Sequence, residues 1–107
     1  MMTFSDWEKA DIRVGEIKSA EPVEGSSKLF RMQVGFGSEE RQIVAGIAQM
    51  YGAEELVGKK TIFLFNLEPK KVRGVESQGM ILVAHDEEEG YSLLVPDREV
   101  KEGSKLE

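Results

Sequence analysis

The 107-residue sequence predicts a single all-β domain, a five-stranded Greek-key barrel with a short helix or two. Three observations support this class. Short alternating or β-branched segments recur along the chain and are separated by glycine, proline and acidic turns. One weakly helical segment lies between the third and fourth of them, where such a barrel needs a connection. The length allows one compact core, which we expect to occupy residues 11–85, with a helix at 1–10 and an extension at 91–107.

The helix near the start of the chain is predicted from its capping residues. Ser5 and Glu8 stand three residues apart, the spacing of a capping box in which each side chain satisfies a free backbone N–H. This spacing places a short helix at about residues 6–10. Trp7 would then be an apolar anchor on one face of the helix.

The first three strands follow. Residues 12–20 are rich in β-formers and end before Pro22, and Gly15 among them predicts a bulge or a sharp bend. Residues 29–36 alternate, with four apolar side chains on one face, and residues 41–45 return after a glycine turn. The solvent-facing side of this antiparallel pair is expected to carry Arg31, Gln33 and Gln42.

The second half of the chain continues with shorter elements. Residues 46–57 show weak helical spacing, and Gly58 follows them as a C′ glycine. The remaining segments are predicted, in order, as a strand at 61–67, a polar loop at 69–79, a strand at 80–85, an acidic turn at 86–90, a strand at 91–95 and an extended tail at 96–107.

The charge distribution matters more than the net charge of −6, which taken alone argues against nucleic-acid binding. Residues 28–80 carry eight Lys or Arg and six acids, whereas both ends of the chain are acidic. Five cations fall in one short stretch: Lys59, Lys60, Lys70, Lys71 and Arg73. On composition alone, a solvated lysine-rich region is the favoured interpretation.

Residues suited to catalysis or metal binding are scarce. The chain has no cysteine, which excludes disulfides and thiolate metal sites. Its single histidine, His85, argues against a zinc site and against a Ser-His nucleophile. We therefore expect neither an enzyme nor a cofactor. The absence of an export signal and of a long apolar run predicts a cytoplasmic protein.

The polar loop at 69–79 has the content of a ligand-binding segment. It combines three cations with two glycines, and Ser77 and Gln78 could hydrogen-bond a phosphate, a 2′-OH or a base edge. Met80 would be an apolar contact at the loop exit. The alternative is a well-ordered loop whose serine and glutamine satisfy its own backbone. The residues alone leave these two interpretations even.

The order and spacing of several segments resemble those of the tRNA-binding domain family. The matching segments are Asp11 to Gly15, Lys28-Leu29, Arg41 to Ile47, Tyr51, Glu54 to Lys59, Asn66-Leu67, Pro69, Arg73-Gly74, Glu76 to Met80, Pro96 to Arg98 and Gly103. The resemblance covers nearly the whole chain. The family includes a free-standing bacterial tRNA-binding protein and the C-terminal extension or separate β subunit of methionyl-tRNA synthetases. It also includes the module of the endothelial monocyte-activating polypeptide.

This resemblance implies an OB-fold barrel that grips tRNA around its folded corner without choosing one isoacceptor. It also implies that the flanking segments join two copies into a homodimer, acting free or as a methionyl-tRNA synthetase subunit. We expect phosphate contacts from Lys28, Arg31, Arg41, Lys70, Lys71 and Arg73, and ribose or base contacts from Asn66, Ser77, Gln78 and Met80. Arg13 and Arg98 are assigned to structural ion pairs.

Two rival interpretations remain open. A related branch of the family resembles a secretion chaperone that binds unfolded peptides. The other rival is a structural subunit that docks onto a synthetase and adds little RNA affinity.

Overall fold

The computed structural model describes residues 1–107 and confirms a mostly β chain. The elements are α1 Phe4–Glu8, β1 Ile12–Pro22, β2 Phe30–Gly35, β3 Glu40–Ala45, α2 Ala53–Leu56, β4 Lys60–Leu64, β5 Lys70–Val72, β6 Val75–Ser77, β7 Met80–Ile81, β8 Val83–Asp86 and β9 Gly90–Leu93. A five-stranded antiparallel sheet, curled into a half-barrel, has the order β3-β2-β1-β4-β7, and two small hairpins, β5–β6 and β8–β9, lie outside it. Neither helix is long and apolar enough to cross a membrane.

The long strand β1 organises the sheet, because it pairs with β4 through its first half and with β2 through its second half. Its register shifts between Ile17 and Ser19, so the predicted bulge at Gly15 was wrong. Gly15 serves close packing instead. A Cβ at this position would lie 2.6 Å from Val34 Cγ1 and 2.7 Å from the ring of Phe36.

The core follows the predicted alternation of β2. Phe30, Met32 and Val34 are buried, whereas Arg31 is exposed and Gln33 is half-buried. The hydroxyl of buried Thr61 has no hydrogen-bond partner. The apolar side chains of β2 join the following buried residues in one cluster: Ile17, Phe36, Ile43, Ala45, Ile47, Leu56, Phe63, Phe65 and Ile81. The central strands are therefore fixed by burial on a single face.

Helix α1 begins two residues earlier than predicted. Thr3 is the N-cap, and its side chain accepts a hydrogen bond from Asp6 N at 3.1 Å, so the Ser5 capping box was wrong. The side chain of Asn66 binds the chain just beyond the helix. It accepts from Asp11 N at 2.9 Å and donates to Lys9 O at 2.7 Å. Lys9 is the C-cap, so the helix ends two residues before the predicted end at residue 10.

The connection between β3 and β4 is less helical than predicted. Only α2 forms there, with Gly52 as its N-cap in an extended conformation and Gly58 past its end at φ +92°. The preceding residues are held by other bonds, since Ala48 N donates to Lys28 O at 2.9 Å. Gly46 and Gly52 also lower the helical preference of this segment.

Two further predictions were wrong in the second half of the chain. Residues 70–77, within the loop predicted at 69–79, form the β5–β6 hairpin. The strand predicted at 80–85 is two strands, because β7 pairs with β4 whereas β8 pairs with β9. The C-terminal segment, predicted as an extended tail, bends at residues 97–98 and turns at residues 102–103. It runs along β1 through bonds from Val14 N to Ser104 O and from Leu106 N to Ile12 O, each 2.8 Å.

Candidate nucleic-acid interface

The β5–β6 hairpin, residues 70–77, is called the cationic hairpin below. Arg73 and Gly74 form its turn with φ values of +54° and +81°, as a type I′ two-residue turn requires. The register places Lys70 opposite Ser77 and Lys71 opposite Glu76. Lys70, Lys71 and Arg73 are exposed, and none has an acidic partner within 4.0 Å. Their charges are therefore available to a ligand.

The cationic hairpin lies beside the outer face of β2 and β3. Arg31 of β2 and Arg73 at the hairpin turn line one surface depression together with Glu24. Arg31 also forms an exposed ion pair with Glu21, with Nη2 to Oε2 at 3.0 Å. Lys28 is exposed at the end of the loop that leads into β2. A sheet face flanked by the β1–β2 and β4–β5 loops is the surface that barrels of this type use for oligonucleotides.

The base of the hairpin is fastened to β3 by a latch, which we define as the side chains of Ser77, Gln78 and Gln42. Ser77 Oγ accepts from Val44 N at 2.9 Å, and Gln78 Oε1 accepts from Gln42 N at 2.9 Å. Gln42 Nε2 in turn donates to Glu76 O at 2.8 Å. Side-chain oxygens thus take the place of backbone carbonyls along the edge of β3. β3 is one edge strand of the sheet and β7 is the other. The latch therefore joins the β3 edge to the segment that directly precedes β7.

Gly79 is required where the latch crosses the core. A Cβ at this position would lie 2.8 Å from Ile43 Cδ1 and 3.0 Å from Leu64 O. Ser77 is 5% exposed, and its hydroxyl also donates to Gly79 O at 2.9 Å. The hydrogen bonds of Ser77 Oγ and of the side-chain oxygen Gln78 Oε1 are therefore made within the protein. They match the second of the two interpretations of this segment, in which its serine and glutamine bond the protein's own backbone.

Two other predicted contact residues are also bonded within the chain. Asn66 bridges Lys9 and Asp11 through both ends of its amide. Arg41 forms an ion pair with Glu39, with Nε to Oε2 at 3.0 Å, and its guanidinium carbon lies 3.5 Å from the ring centre of Phe65. Of the ten residues proposed from the sequence, seven are exposed, and Asn66 among them has its amide bonded within the chain. The other six exposed residues are Lys28, Arg31, Lys70, Lys71, Arg73 and Met80.

Met80 lies at the edge of an apolar groove. The side chain is 43% exposed. Val44 of β3, Ile47 just after β3, Val83 of β8 and Tyr91 of β9 also line this groove. The ring of Tyr91 packs on His85 with a centroid distance of 4.8 Å.

The five-cation stretch seen in the sequence is divided by β4. Lys59 and Lys60 lie at the first end of this strand, and Lys60 is paired opposite Glu16. Lys60 Nζ is 3.0 Å from Glu99 Oε1 and donates to Val100 O. The three hairpin cations follow the other end of β4. Only these three of the five can therefore act together with Arg31.

Three carboxyl groups have pKa values below their ordinary range. Hydrogen bonds from Arg13 lower the pKa of Asp11, which confirms the ion pair assigned to Arg13, and Arg13 also lies 3.9 Å from the Phe65 ring centre. Lys18 and the backbone N–H of Gly37 lower the pKa of Glu102. Arg98 forms no ion pair.

The third carboxyl lies in the acidic hairpin, residues 83–93. The backbone N–H groups of Glu89 and Glu88 donate to Asp86 Oδ1, each at 2.9 Å, and lower the pKa of Asp86. Asp86 therefore stays ionised to a lower pH than an ordinary aspartate. No three His, Cys, Asp or Glu side chains come together as a metal site would require.

Sequence reasoning missed the role of Gln42, which it placed on the solvent-facing side without a partner. It also missed Gly79 as a close-approach position. A serine and a glutamine directly before a glycine, next to an edge strand, are the only local signals of the latch.

Comparison with known proteins gives one family. The family model described as "Putative tRNA binding domain" matches residues 12–105. The methionine–tRNA ligase of Methanoculleus marisnigri is 50% identical over 106 residues, which cover 99% of this chain and 16% of that protein. The methionine–tRNA ligase of Methanocaldococcus jannaschii is 52% identical over 99 residues, which cover 92% of this chain and 15% of that protein. The chain thus spans about one sixth of the length of these curated relatives.

Two solved structures share the fold across their whole length. A MetRS-related protein from Pyrococcus horikoshii superposes with a TM-score of 0.93 at 42% identity, and the match covers 99% of this chain and 97% of that one. A CsaA chaperone protein from Picrophilus torridus superposes with a TM-score of 0.92 at 32% identity and covers 100% of both chains.

Proposed function

This chain belongs to the tRNA-binding domain family, and we propose that it is a non-catalytic, cytoplasmic protein that binds tRNA by its folded shape. The observation that carries the proposal is the cationic hairpin. It presents three unpaired cations, and Arg73 at its turn lines one depression with Arg31, which lies on the sheet face that such barrels use for nucleic acids. The overall charge of −6 does not oppose this, because residues 28–80 carry eight Lys or Arg and six acids, and the excess of acids lies at the two ends of the chain.

The proposed contacts are mainly to phosphates. Lys28, Arg31, Lys70, Lys71 and Arg73 would neutralise the backbone of the RNA, and Met80 would pack on a ribose or an unstacked base. Four of the five phenylalanines, at positions 30, 36, 63 and 65, are buried in the core, so few rings are free to stack on bases. Backbone contacts with little stacking favour recognition of shape over sequence.

We also propose that the protein works as a homodimer or as a subunit of methionyl-tRNA synthetase. The flanking segments support an assembly, since Phe4 is 74% exposed and Val95 is 60% exposed. Trp7 and Leu106 line a further apolar depression between α1 and the C-terminal segment. Two barrels in one particle would bind one tRNA more tightly through effective concentration. A non-covalent subunit would provide a synthetase with the domain that its relatives carry in their own chain.

One observation favours a second function, the binding of unfolded peptides. The CsaA chaperone structures have the same fold, and the apolar groove beside Met80 could accept an apolar side chain. The unpaired cations of the hairpin favour the tRNA proposal, because an apolar peptide segment has no negative charges to pair with them.

A gel-shift titration against bulk tRNA tests the main proposal. Single-stranded DNA and a plain RNA duplex serve as competitors across a salt series. We expect preferential tRNA binding that weakens steeply with salt, and loss of binding in Lys70→Glu/Arg73→Glu. The control is Lys9→Glu/Lys59→Glu, which changes the charge equally at exposed positions away from the hairpin.

Absence of a tRNA preference at low salt would refute the proposal. An equal loss of binding in the control would remove the hairpin as the site. Analytical ultracentrifugation of the unaltered protein, with and without tRNA, would decide whether one or two copies bind each tRNA.

A further inference from the structure

Arg41 occupies a distinctive position relative to the cationic hairpin. The hairpin leaves the barrel after Phe65 and returns to it at Gln78. Arg41 Nη1 donates to Phe65 O and also lies 3.5 Å from Gln78 O. One guanidinium on β3 therefore reaches both ends of the segment that carries the hairpin.

Much of the remaining surface of this guanidinium is occupied. Nε donates to Glu39 Oε2 at 3.0 Å, and the guanidinium carbon lies 3.5 Å from the Phe65 ring centre. The side chain is only 24% exposed. Its open side faces a surface depression that Glu39, Glu40 and Glu68 also line, so a phosphate there would approach three carboxyl groups. Direct phosphate contact is therefore disfavoured at this position, in contrast to the open side chains of Lys71 and Arg73.

We infer that Arg41 is a positioning residue, which supports tRNA binding by fixing the cationic hairpin and makes no phosphate contact itself. The inference rests on the proposed tRNA function. Arg41 holds together the two ends of the segment that carries the hairpin, and the latch holds the second strand of the hairpin on β3. Together they keep Lys70, Lys71 and Arg73 in one arrangement before the ligand arrives, which lowers the ordering cost of binding.

The geometry of arginine is essential to this role. A planar guanidinium can stack on the Phe65 ring while its edge donates to more than one oxygen. Lysine carries the same charge on a single ammonium and cannot do both. Arg41→Lys therefore separates charge from geometry, whereas Arg41→Gln removes both.

The test measures tRNA affinity for Arg41→Lys and Arg41→Gln, each alone and combined with Lys70→Gln/Arg73→Gln. We expect each Arg41 variant to lose roughly threefold to tenfold in affinity alone, but less than about twofold when the hairpin cations are absent. Residues that act through the same group are non-additive in such a cycle. Arg41→Lys should be nearly as weak as Arg41→Gln.

Three results would overturn the inference. Wild-type affinity in Arg41→Lys, with a salt slope lowered by about one in Arg41→Gln, would identify a phosphate contact. Additive effects with the hairpin variant would mean that Arg41 acts independently. Unchanged affinity in both Arg41 variants would mean that it has no role in binding.

Amide hydrogen exchange of residues 70–77 gives a readout that needs no RNA. Arg41→Lys should accelerate exchange in the hairpin while exchange in β1 and β2 stays unchanged, which also shows that the barrel is folded. Unchanged hairpin exchange would overturn the positioning role. If the unaltered protein fails to bind tRNA, the proposed function falls, and hydrogen exchange still decides whether Arg41 fixes the hairpin.

Discussion

The cationic and acidic hairpins are two small sheets of opposite charge that are anchored in opposite ways. The cationic hairpin is fastened by hydrogen bonds in which the side chains of Ser77 and Gln78 accept from backbone N–H groups of β3. The acidic hairpin is held mainly by apolar packing, since Val83 and Leu93 lie against the core. Its one polar anchor is Tyr51, whose hydroxyl accepts from Leu93 N at 3.1 Å.

This difference shows how a short hairpin can carry a binding surface. Directional bonds at its base fix the cationic hairpin without using the side chains near its turn. Lys71 and Arg73 therefore stay free for a ligand. The acidic hairpin is fixed by the packing of its own side chains. This packing extends to Gly90 near the tip, where a Cβ would lie 2.8 Å from Met50 Cε.

Exchanging the charges of the two hairpins would test this comparison most strongly. The variant carries Glu at positions 70, 71 and 73 and Lys at positions 87, 88 and 89, so its net charge is unchanged. We expect tRNA affinity to fall by roughly a hundredfold or more, because phosphate contacts depend on where the cations are held. Fluorescence anisotropy with labelled tRNA measures the change. Retained affinity would show that net charge alone controls binding.

Removing one hydroxyl from each hairpin tests the latch of the cationic hairpin against a matched control. Ser77→Ala leaves the buried N–H of Val44 without its acceptor and should cost about 1–3 kcal/mol of unfolding free energy. The matched control, Ser92→Ala, removes an exposed hydroxyl that bonds only to Leu93 O, and should stay within about 0.5 kcal/mol of the parent. Urea unfolding followed by circular dichroism measures both. Equal stabilities would mean that the latch contributes nothing to the fold.

Neutralising the acidic tip should produce a smaller effect. Glu87→Gln/Glu88→Gln/Glu89→Gln removes three charges that repel polyanions, so tRNA affinity should rise about twofold to fivefold at low salt. The gain should vanish near 0.5 M salt as screening increases. Competition with single-stranded DNA would show whether selectivity falls at the same time. No change at low salt would place the tip beyond electrostatic reach of the bound RNA.

The smallest predicted effect is a local pH transition in the acidic hairpin. The pKa of Asp86 is lowered in the folded protein, so its ionised form stabilises the tip above the ordinary pKa of 3.8. This contribution is lost as the pH falls through the lower folded pKa. The amide NMR signals of Glu88 and Glu89 should shift in that range. Asp86→Asn should abolish the shift, and persistence of the shift in that variant would assign it to another group.

The sequence predicted the parts of the fold that depend on burial. The alternation of Phe30, Met32 and Val34 identified β2 and its buried face, because a single buried face fixes the register of a strand. The cationic hairpin was predicted as a loop because its two strands are only three residues long. Val72 and Val75 are their only apolar residues, too few to show the alternation of a strand. Arginine in place of asparagine or aspartate at the first turn position also weakens the usual hairpin signature.

The candidate site was predicted less well than the fold, for a physical reason. The sequence indicated the residue types and the segment, but not the partner of each side chain. Gln78 bonds Gln42 and Asn66 bonds Asp11 across 36 and 55 residues, and no local pattern encodes such distances. A polar side chain that completes a sheet edge has the same sequence signature as one that awaits a ligand.

The pairing of the C-terminal segment with β1 has a consequence for the newly made protein. Lys18 of β1 bonds Glu102, which lies 84 residues further along the chain. At typical synthesis rates of about 5–20 residues per second, one edge of β1 waits roughly 4–17 seconds for its last partner. During this time the open edge is exposed to other nascent chains. The rate of elongation therefore sets how long this protein is vulnerable to misassembly on the ribosome.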